Sequence, residues 1–208
     1  MEIKCLRVGS LEVNCYILIS GNEAAVIDAG GDAERIIKEA QNGGAEIKKI
    51  ILTHGHYDHI GGVKELCEKT NAKVYIHKDD EEMLSDNEKN LNFLSEEKVD
   101  FCSADVLLEG GEEIKVGDST LKIYHTPGHS KGGISIATEN VLFSGDLLFK
   151  NSIGRFDFGN VRVELRSLAF LVNNFPEETI VYPGHGEFTT MGDEMKYNPY
   201  IINHVKGR

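Results

Sequence analysis

Three histidines and one aspartate lie within six consecutive residues of the chain. His54, His56, Asp58 and His59 follow an apolar segment at residues 49–53 that has the composition of a buried strand. Neutral imidazole and ionised carboxylate are the usual protein ligands of zinc, and imidazole also suits iron. A hydrophobic core would have to supply a polar partner for each of these groups. The cluster therefore predicts a metal site at the end of a strand.

Three more ligand-type side chains stand on tight turns after apolar segments. His129 and His185 each follow a Pro-Gly turn, and Asp146 follows Ser-Gly. Loops at strand ends are where a rigid scaffold presents catalytic groups. Seven candidate ligands are too many for one tetrahedral ion and suit two ions about 3.5–4 Å apart. Asp146 is the natural bridge, because a carboxylate can offer one oxygen to each ion.

Composition and charge restrict the class of protein. The 208 residues are 40% hydrophobic, which suits one domain over residues 1–208 with a substantial core. The net charge is −12 without any basic block, which argues against nucleic acids and anionic membranes as partners. No apolar run could span a bilayer and no signal-peptide pattern is visible, so we expect a cytoplasmic protein. The four cysteines form no close pair or zinc-ribbon spacing.

Strand-like segments dominate the chain, with amphipathic helices between them. Apolar runs predict strands at residues 4–8, 13–20, 23–28, 46–53, 73–77, 112–116, 120–125, 133–138, 141–143 and 179–182. Helical periodicity predicts helices after Asp32, which would be the N-cap, after Gly61-Gly62, and over residues 161–173. The sequence also indicates helix over residues 79–84 and in a terminal piece after Pro199. Residues 85–105 fit no regular element. We expect such a chain to bury its sheets between layers of helices.

The ligand motifs resemble, in order and spacing, those of metallo-β-lactamase-fold hydrolases. They are Thr-His-Gly-His-Tyr-Asp-His at residues 53–59, Gly128-His129, Gly145-Asp146 and Gly184-His185. The resemblance implies an α+β fold, a four-layered αββα sandwich in which two mixed β-sheets are flanked by helices. It assigns the first metal to His54, His56 and His129, and the second to Asp58, His59 and His185, with Asp146 as the bridge. Asp28 would orient one of these ligands from behind; the alternative is a simple turn aspartate.

Within that superfamily the chain is most similar to glyoxalase II. The similarity lies in residues 125–133, 145–149 and 152–157. In that group a basic residue at the position of Arg155 helps to hold the carboxylate of a thiol carrier such as glutathione, and a guanidinium can grip a carboxylate with two hydrogen bonds. Lys150 is a second candidate of this kind. The alternative for Arg155 is a surface charge paired with Asp157.

The resemblance implies hydrolysis of a small-molecule thioester, S-acyl-glutathione or the ester of another low-molecular-weight thiol. Two divalent cations, zinc or else iron or manganese, would generate a bridging hydroxide that attacks the carbonyl. Asp58 and Asp146 are the candidate catalytic residues, with Asp58 also steering the hydroxide. The sequence leaves the oligomeric state open.

Two departures from glyoxalase II keep alternatives open. The longer enzymes have a C-terminal helical domain that we expect this chain to lack, and Asp157 stands where the family has a tyrosine. Both favour the short, single-domain type with a different thiol carrier. The Gly-Arg-X-Asp form also occurs in persulfide dioxygenases, which use one iron. Lactone or phosphodiester hydrolysis on the same site is a further alternative. A flavodiiron-type electron-transfer module ranks last, because such proteins usually have glutamate where His56 stands in this chain.

Overall fold

The strands of the protein follow the apolar segments of its sequence. The structure is a computed structural model that describes residues 1–96 and 98–205. The strands in this part of the chain are β1 (Glu2–Val8), β2 (Val13–Ser20), β3 (Glu23–Ile27), β4 (Glu46–Ile51), β5 (Lys73–His77), β6 (Val106–Leu108), β7 (Glu113–Val116), β8 (Ser119–His125), β9 (Ile134–Thr138), β10 (Val141–Gly145), β11 (Leu148–Phe149), β12 (Ser152–Ile153), β13 (Ile180–Pro183) and β14 (Thr189–Thr190).

These strands form two mixed sheets and one small hairpin. The first sheet has the order β1-β2-β3-β4-β5-β6, antiparallel from β1 to β3 and parallel from β3 to β6. The second has the order β14-β13-β10-β9-β8-β7, antiparallel except for the parallel pair β10 and β13. β11 and β12 pair with each other.

Helices cover the outer face of each sheet. They are α1 (Ala33–Asn42), α2 (Tyr57–Ile60), α3 (Val63–Thr70), α4 (Val161–Asn174) and α5 (Met191–Tyr197), with 3-10 helices at Lys78–Leu84 and Asn92–Leu94 and a π-helix at Ile201–Val205. α1 and α3 pack on the first sheet, and α4, α5 and the π-helix pack on the second. The fold is the α+β, four-layered αββα sandwich that the sequence predicts.

Successive residues of the central strands face different hydrophobic cores. In β2, Ile17 faces α1 and α3, whereas Leu18 faces the second sheet. In β10, Phe143 faces the first sheet and Leu142 packs beneath α4. This alternation is the two-residue period of a strand. Every residue of β2 is buried, as expected for a strand covered on both faces.

Asp32 precedes α1 as predicted, but its side chain does not cap the helix. Its backbone is left-handed, with φ of 54°. The Asp32 carboxylate accepts hydrogen bonds from the Gly9 N–H and the Arg35 guanidinium instead of from a helix N–H. The predicted cap is therefore wrong, because the left-handed backbone turns the carboxylate toward the end of β1.

Several short elements were not predicted, among them α2, β6, the β11–β12 hairpin, β14 and α5. None is long enough to show a clear hydrophobic period. Glu97 and residues 206–208, which the predicted domain over residues 1–208 includes, lie outside the described residues. Across residues 1–96 and 98–205, no helix has the length and apolar character needed to cross a bilayer.

Candidate metal centre

Strand ends from both sheets meet at one edge of the sandwich. Asp28 and the segment 54–59 follow the parallel strands β3 and β4. In the second sheet, β8, β10 and β13 run in the same direction, because two antiparallel pairings separate β8 from β10. Their carboxyl ends lead to His129, Asp146 and His185. Candidate ligands that are remote in sequence are thus brought together.

His54, His56 and His129 form the first group of donor atoms. One ring nitrogen of each lies within 4.8 Å of the others. His129 Nε2 is 2.9 Å from His56 Nδ1, and the three rings meet nearly at right angles. Nitrogen lone pairs gathered in this way repel one another unless a proton or a cation lies between them.

Asp58, His59 and His185 form the second group, also within 4.8 Å. His185 Nε2 lies 3.1 Å from Asp58 Oδ2, and His59 Nε2 lies 3.7 Å from the same oxygen. α2 places Asp58 and His59 side by side at its first turn. Two imidazoles and a carboxylate in this arrangement make up a typical zinc donor set.

Asp146 lies between the two groups. Its Oδ2 is 3.7 Å from His129 Nε2 of the first group and 3.7 Å from His185 Nε2 of the second. Its Oδ1 is 3.4 Å from His59 Nε2. The carboxylate can therefore face a cation in either group, which is the position that the sequence predicts for a bridge.

Asp28 fixes the orientation of two imidazoles. Its Oδ2 accepts from His59 Nδ1 at 2.9 Å and from the Thr53 hydroxyl at 2.7 Å. Because the Thr53 hydroxyl proton goes to Asp28, its oxygen accepts from His54 Nδ1 at 3.1 Å. Both imidazoles are then protonated at Nδ1 and keep the Nε2 lone pair free for a metal. Asp28 also accepts from the Thr53 N–H at 2.8 Å, which excludes a purely solvent-facing turn aspartate.

Backbone carbonyls fix His129 and His185 in the same way. His129 Nδ1 donates to the Arg155 carbonyl at 2.8 Å, and His185 Nδ1 donates to the Leu11 carbonyl at 3.2 Å. A carbonyl can only accept, so each ring presents an unprotonated Nε2 toward the cluster.

Burial and mutual proximity set the charges. Burial and the neighbouring histidines lower the pKa of His54 far below its usual value, and they lower the pKa of His56 to about 3. Burial disfavours protonated His59 as well, but carboxylates led by Asp146 and Asp58 outweigh burial and raise the pKa of His59 well above its usual value. The pKa of Asp146 falls far below its usual range, because the imidazoles, led by His59, outweigh the effect of burial. His54 and His56 are thus neutral and Asp146 is ionised at neutral pH, as metal binding requires, and a cation at the second group would displace the proton of His59 Nε2.

Buried polar atoms without hydrogen bonds support a fit to divalent cations. Within the described part of the chain, His54 Nε2, His59 Nε2 and Asp146 Oδ1 have almost no accessible surface and no hydrogen-bond partner. Leaving such atoms unpaired is costly, and a cation would satisfy all three. Gly184 keeps the space open, since a Cβ there would lie 2.1 Å from Asp146 Oδ1.

The two predicted substrate contacts lie at exposed positions and are paired with carboxylates. Arg155 donates from Nε and Nη2 to the two oxygens of Asp157, at 2.8 and 2.5 Å. Its guanidinium also lies 4.8 Å above the ring of Phe158. Lys150 Nζ lies 2.5 Å from Glu187 Oε2. Both residues stay candidates for substrate binding.

Asp80 belongs to the support of the site, and the sequence did not reveal it. Its carboxylate is buried and accepts from the Gly55 N–H at 3.3 Å and from the Gly132 N–H at 2.6 Å. It thereby joins the loop of His54 and His56 to the loop of His129. Nothing in the acidic segment that contains Asp80 indicates this role, because the two residues that it binds, Gly55 and Gly132, are remote in sequence.

Comparison with known proteins agrees with this site. The Metallo-beta-lactamase superfamily profile matches residues 8–185, and the chain belongs to that superfamily. The chain is 35% identical over 206 residues to the probable metallo-hydrolase YqgX of Bacillus subtilis, covering 97% of this chain and 98% of YqgX. It is 30% identical over 208 residues to the hydroxyacylglutathione hydrolase GloC of Haemophilus influenzae, again covering 97% and 98%. The predicted resemblance to glyoxalase II-like hydrolases is confirmed.

Solved structures give the same fold. The BLEG-1 B3 metallo-beta-lactamase superimposes with a TM-score of 0.90 at 37% identity, covering 96% of this chain and 99% of that one. TTHA1623 in a di-iron-bound form superimposes with a TM-score of 0.83 at 31% identity, covering 95% of this chain and 99% of that one. ETHE1 from Myxococcus xanthus superimposes with a TM-score of 0.79 at 27% identity, covering 96% of this chain and 84% of that one. The chain is therefore a metallo-hydrolase-type protein whose His/Asp cluster suits divalent metals.

Proposed function

We propose that the protein hydrolyses a small-molecule thioester with two divalent cations, zinc in the first instance, held at the cluster. The observation that carries this proposal is the pair of donor groups with Asp146 between them. The likeness to a hydroxyacylglutathione hydrolase supports the choice of thioester. The net charge of −12 speaks against nucleic acid or an anionic membrane as partner.

His54, His56 and His129 would hold one cation, and Asp58, His59 and His185 the other, with Asp146 facing both. Bound cations of this kind lower the pKa of water toward neutrality and polarise a carbonyl oxygen. The hydrogen bonds of Asp28 and of the Arg155 and Leu11 carbonyls keep the imidazole lone pairs aimed at the cluster.

The side chains around the reacting carbonyl have separate tasks. Asp58 is partly exposed at the cluster, so its carboxylate can accept a hydrogen bond from the attacking water and orient it. The thiol of the carrier leaves as a thiolate, which is easy because the pKa of a thiol is about 8.5. No serine or cysteine nucleophile is required. Arg155 and Lys150 are proposed contacts for the carrier.

Elemental analysis combined with a thioester assay tests this proposal. The purified protein is assayed on S-lactoylglutathione before and after removal of metal by a chelator, and again after zinc is restored. We expect a loss of activity of roughly a thousandfold or more on metal removal and recovery with zinc. Full activity in protein shown to be free of metal would end the proposal.

A persulfide dioxygenase is the second candidate. The similarity to ETHE1 and the Gly154-Arg155 motif with Asp157 favour it. It differs in needing one iron and molecular oxygen. Oxygen uptake with glutathione persulfide, measured on the iron-loaded protein in parallel with the thioester assay, separates the two activities. The similarity to BLEG-1 adds a β-lactam to the substrates that the same assay series should include.

A further inference from the structure

A pocket opens beside the first group of histidines. Its volume is about 210 Å³, and both His56 and His129 line it. Its other walls include the apolar side chains of Met83, Leu91 and Phe158. A substrate whose carbonyl reaches the metal cluster can therefore extend its carrier into this pocket.

One lysine in this pocket has an uncompensated charge. Lys89 and Lys131 both line the pocket. The Lys89 ammonium is paired with the Glu82 carboxylate. Among residues 1–96 and 98–205, no side chain forms a hydrogen bond or ion pair with the ammonium of Lys131, and the residue's backbone carbonyl is bonded to His125.

The backbone of Lys131 is fixed on both sides. His125 Nε2 donates to the Lys131 carbonyl at 3.0 Å, and the His125 ring stacks on His77 with centroids 3.9 Å apart. The next N–H, that of Gly132, donates to the buried Asp80 carboxylate at 2.6 Å. A Cβ at Gly132 would lie 2.8 Å from Asp80 Cγ, so the loop is held tightly there. Lys131 is thus a free cation on a fixed backbone, two residues after His129.

The two basic side chains that the family resemblance suggests, Arg155 and Lys150, are less available than Lys131 to bind a substrate carboxylate. A substrate carboxylate at Arg155 would have to displace Asp157, which already uses the guanidinium with two hydrogen bonds. At Lys150 it would have to displace Glu187. These pairs are exposed and individually weak, but each is an intramolecular competitor that Lys131 lacks.

We propose that Lys131 binds a carboxylate of the thiol carrier and that the pocket beside His56 and His129 selects carriers with that charge. The proposal rests on the proposed thioester hydrolysis. Two further carboxylates line the pocket: Asp80 is buried and accepts from the Gly55 and Gly132 N–H groups, whereas Asp79 is exposed and its Oδ2 lies 3.9 Å from His77 Nδ1. Asp79 is the one that can be removed without loosening the loop. Its negative charge opposes a carboxylate, so removing it acts in the opposite direction to removing Lys131.

The test compares two thioesters that share an acyl group and differ in carrier charge. S-acetylglutathione has an anionic carrier, and S-acetyl-N-acetylcysteamine has a neutral one. In Lys131→Gln we expect the ratio of kcat/KM for the charged over the neutral substrate to fall about tenfold. In Asp79→Asn we expect the ratio to rise about threefold. Binding of the non-hydrolysable S-methylglutathione, measured by calorimetry, should weaken in Lys131→Gln by a similar factor.

Lys122→Gln is the matched control, since Lys122 is exposed on β8 and faces Glu113. It should leave the ratio unchanged. If both thioesters are hydrolysed and Lys131→Gln leaves the ratio and the S-methylglutathione affinity unchanged, the assignment of Lys131 is wrong while thioester hydrolysis stands. If the metal-loaded wild type hydrolyses neither thioester, the proposed function fails and the assignment of Lys131 fails with it.

Discussion

Single hydrogen bonds decide which nitrogen each imidazole offers. Asp28 illustrates this, because one carboxylate takes protons from His59 Nδ1 and the Thr53 hydroxyl and so leaves Nε2 of His59 and His54 free. From the sequence alone, Asp28 has two interpretations of nearly equal weight, a residue that orients a metal-binding histidine and a simple turn aspartate. In the structure Asp28 is buried and accepts from His59 and Thr53, which a solvent-facing turn aspartate would not do.

Asp28→Asn should weaken metal binding. An amide cannot accept from all three of the Asp28 donors, so the His59 tautomer is no longer fixed. We expect a loss of about 10- to 100-fold in zinc affinity, measured by competition with a chromogenic chelator. Asp32→Asn, at an exposed aspartate near the same loop, is the control. Equal zinc affinity in Asp28→Asn and wild type would contradict the role of Asp28.

The buried carboxyl group of Glu164 should make the free energy of unfolding depend on pH. Both of its carboxyl oxygens are buried without a hydrogen bond among the described residues. Burial, reinforced by Asp146, raises the pKa of Glu164 from 4.5 to about 8. Between these values the folded state holds the proton more tightly than the unfolded state, so the free energy of unfolding falls as pH rises through this window. The stabilising contribution is complete below pH 4.5 and is lost as pH passes 8.

Glu164→Gln should remove that dependence. We expect the metal-free wild type to lose about 3 kcal/mol of unfolding free energy from this group between pH 5 and pH 8, and the variant to lose much less. Urea unfolding at both pH values measures it, with Glu178→Gln at an exposed position as control. Identical pH dependence in Glu164→Gln and wild type would show that Glu164 is not the responsible group.

At the scale of elements, the site forms because the carboxyl ends of strands from both sheets meet at one edge of the sandwich. The sequence predicts the strands that precede Asp58, His129, Asp146 and His185, because each is an apolar run with a glycine or proline within two residues of its end. It does not predict the pairing of β10 with β13, which aligns two of these ends. The segment over residues 79–84 is predicted as helical and forms the 3-10 helix Lys78–Leu84, but the sequence does not show that the buried Asp80 contacts residues far away in sequence.

Asp80→Asn should loosen the first donor group more than the second. Asp80 holds Gly55 and Gly132 through their N–H groups, and these residues flank His54, His56 and His129. An asparagine would accept only one of the two hydrogen bonds. We expect zinc titration to show that the affinity of the first donor group falls about tenfold or more, while that of the second group is nearly unchanged. Glu81→Gln, next in sequence and exposed, is the control; an equal effect on both affinities would contradict a local role.

At the scale of the molecule, the cluster connects the two sheets. The order of strands and helices predicts sheets buried between helices, and the ligand motifs identify the superfamily, whose resemblance implies the α+β, four-layered sandwich. The small elements at the edge, including α5 and β14, do not follow, because too few residues define them. Bound cations would contact residues that follow strands of both sheets and would act as cross-links between them.

Metal removal should therefore lower the thermal stability. Ligands that bind only the folded state add about 4 kcal/mol at a thousandfold excess over the dissociation constant. For a chain of this size that corresponds to roughly 10 °C in Tm. Differential scanning calorimetry of the zinc-loaded and metal-free protein measures the shift. Equal Tm values would contradict a cross-linking role for the cations.

The most direct test of the two-cation centre is a metal count on the purified protein. Elemental analysis after zinc loading and dialysis should give about two equivalents per chain for the wild type, as a pair of donor groups requires. Asp146→Ala should give well below two equivalents, because both groups lose the same carboxylate. A wild type that holds one ion or none, or an Asp146→Ala variant that still holds two, would contradict a shared centre bridged by Asp146.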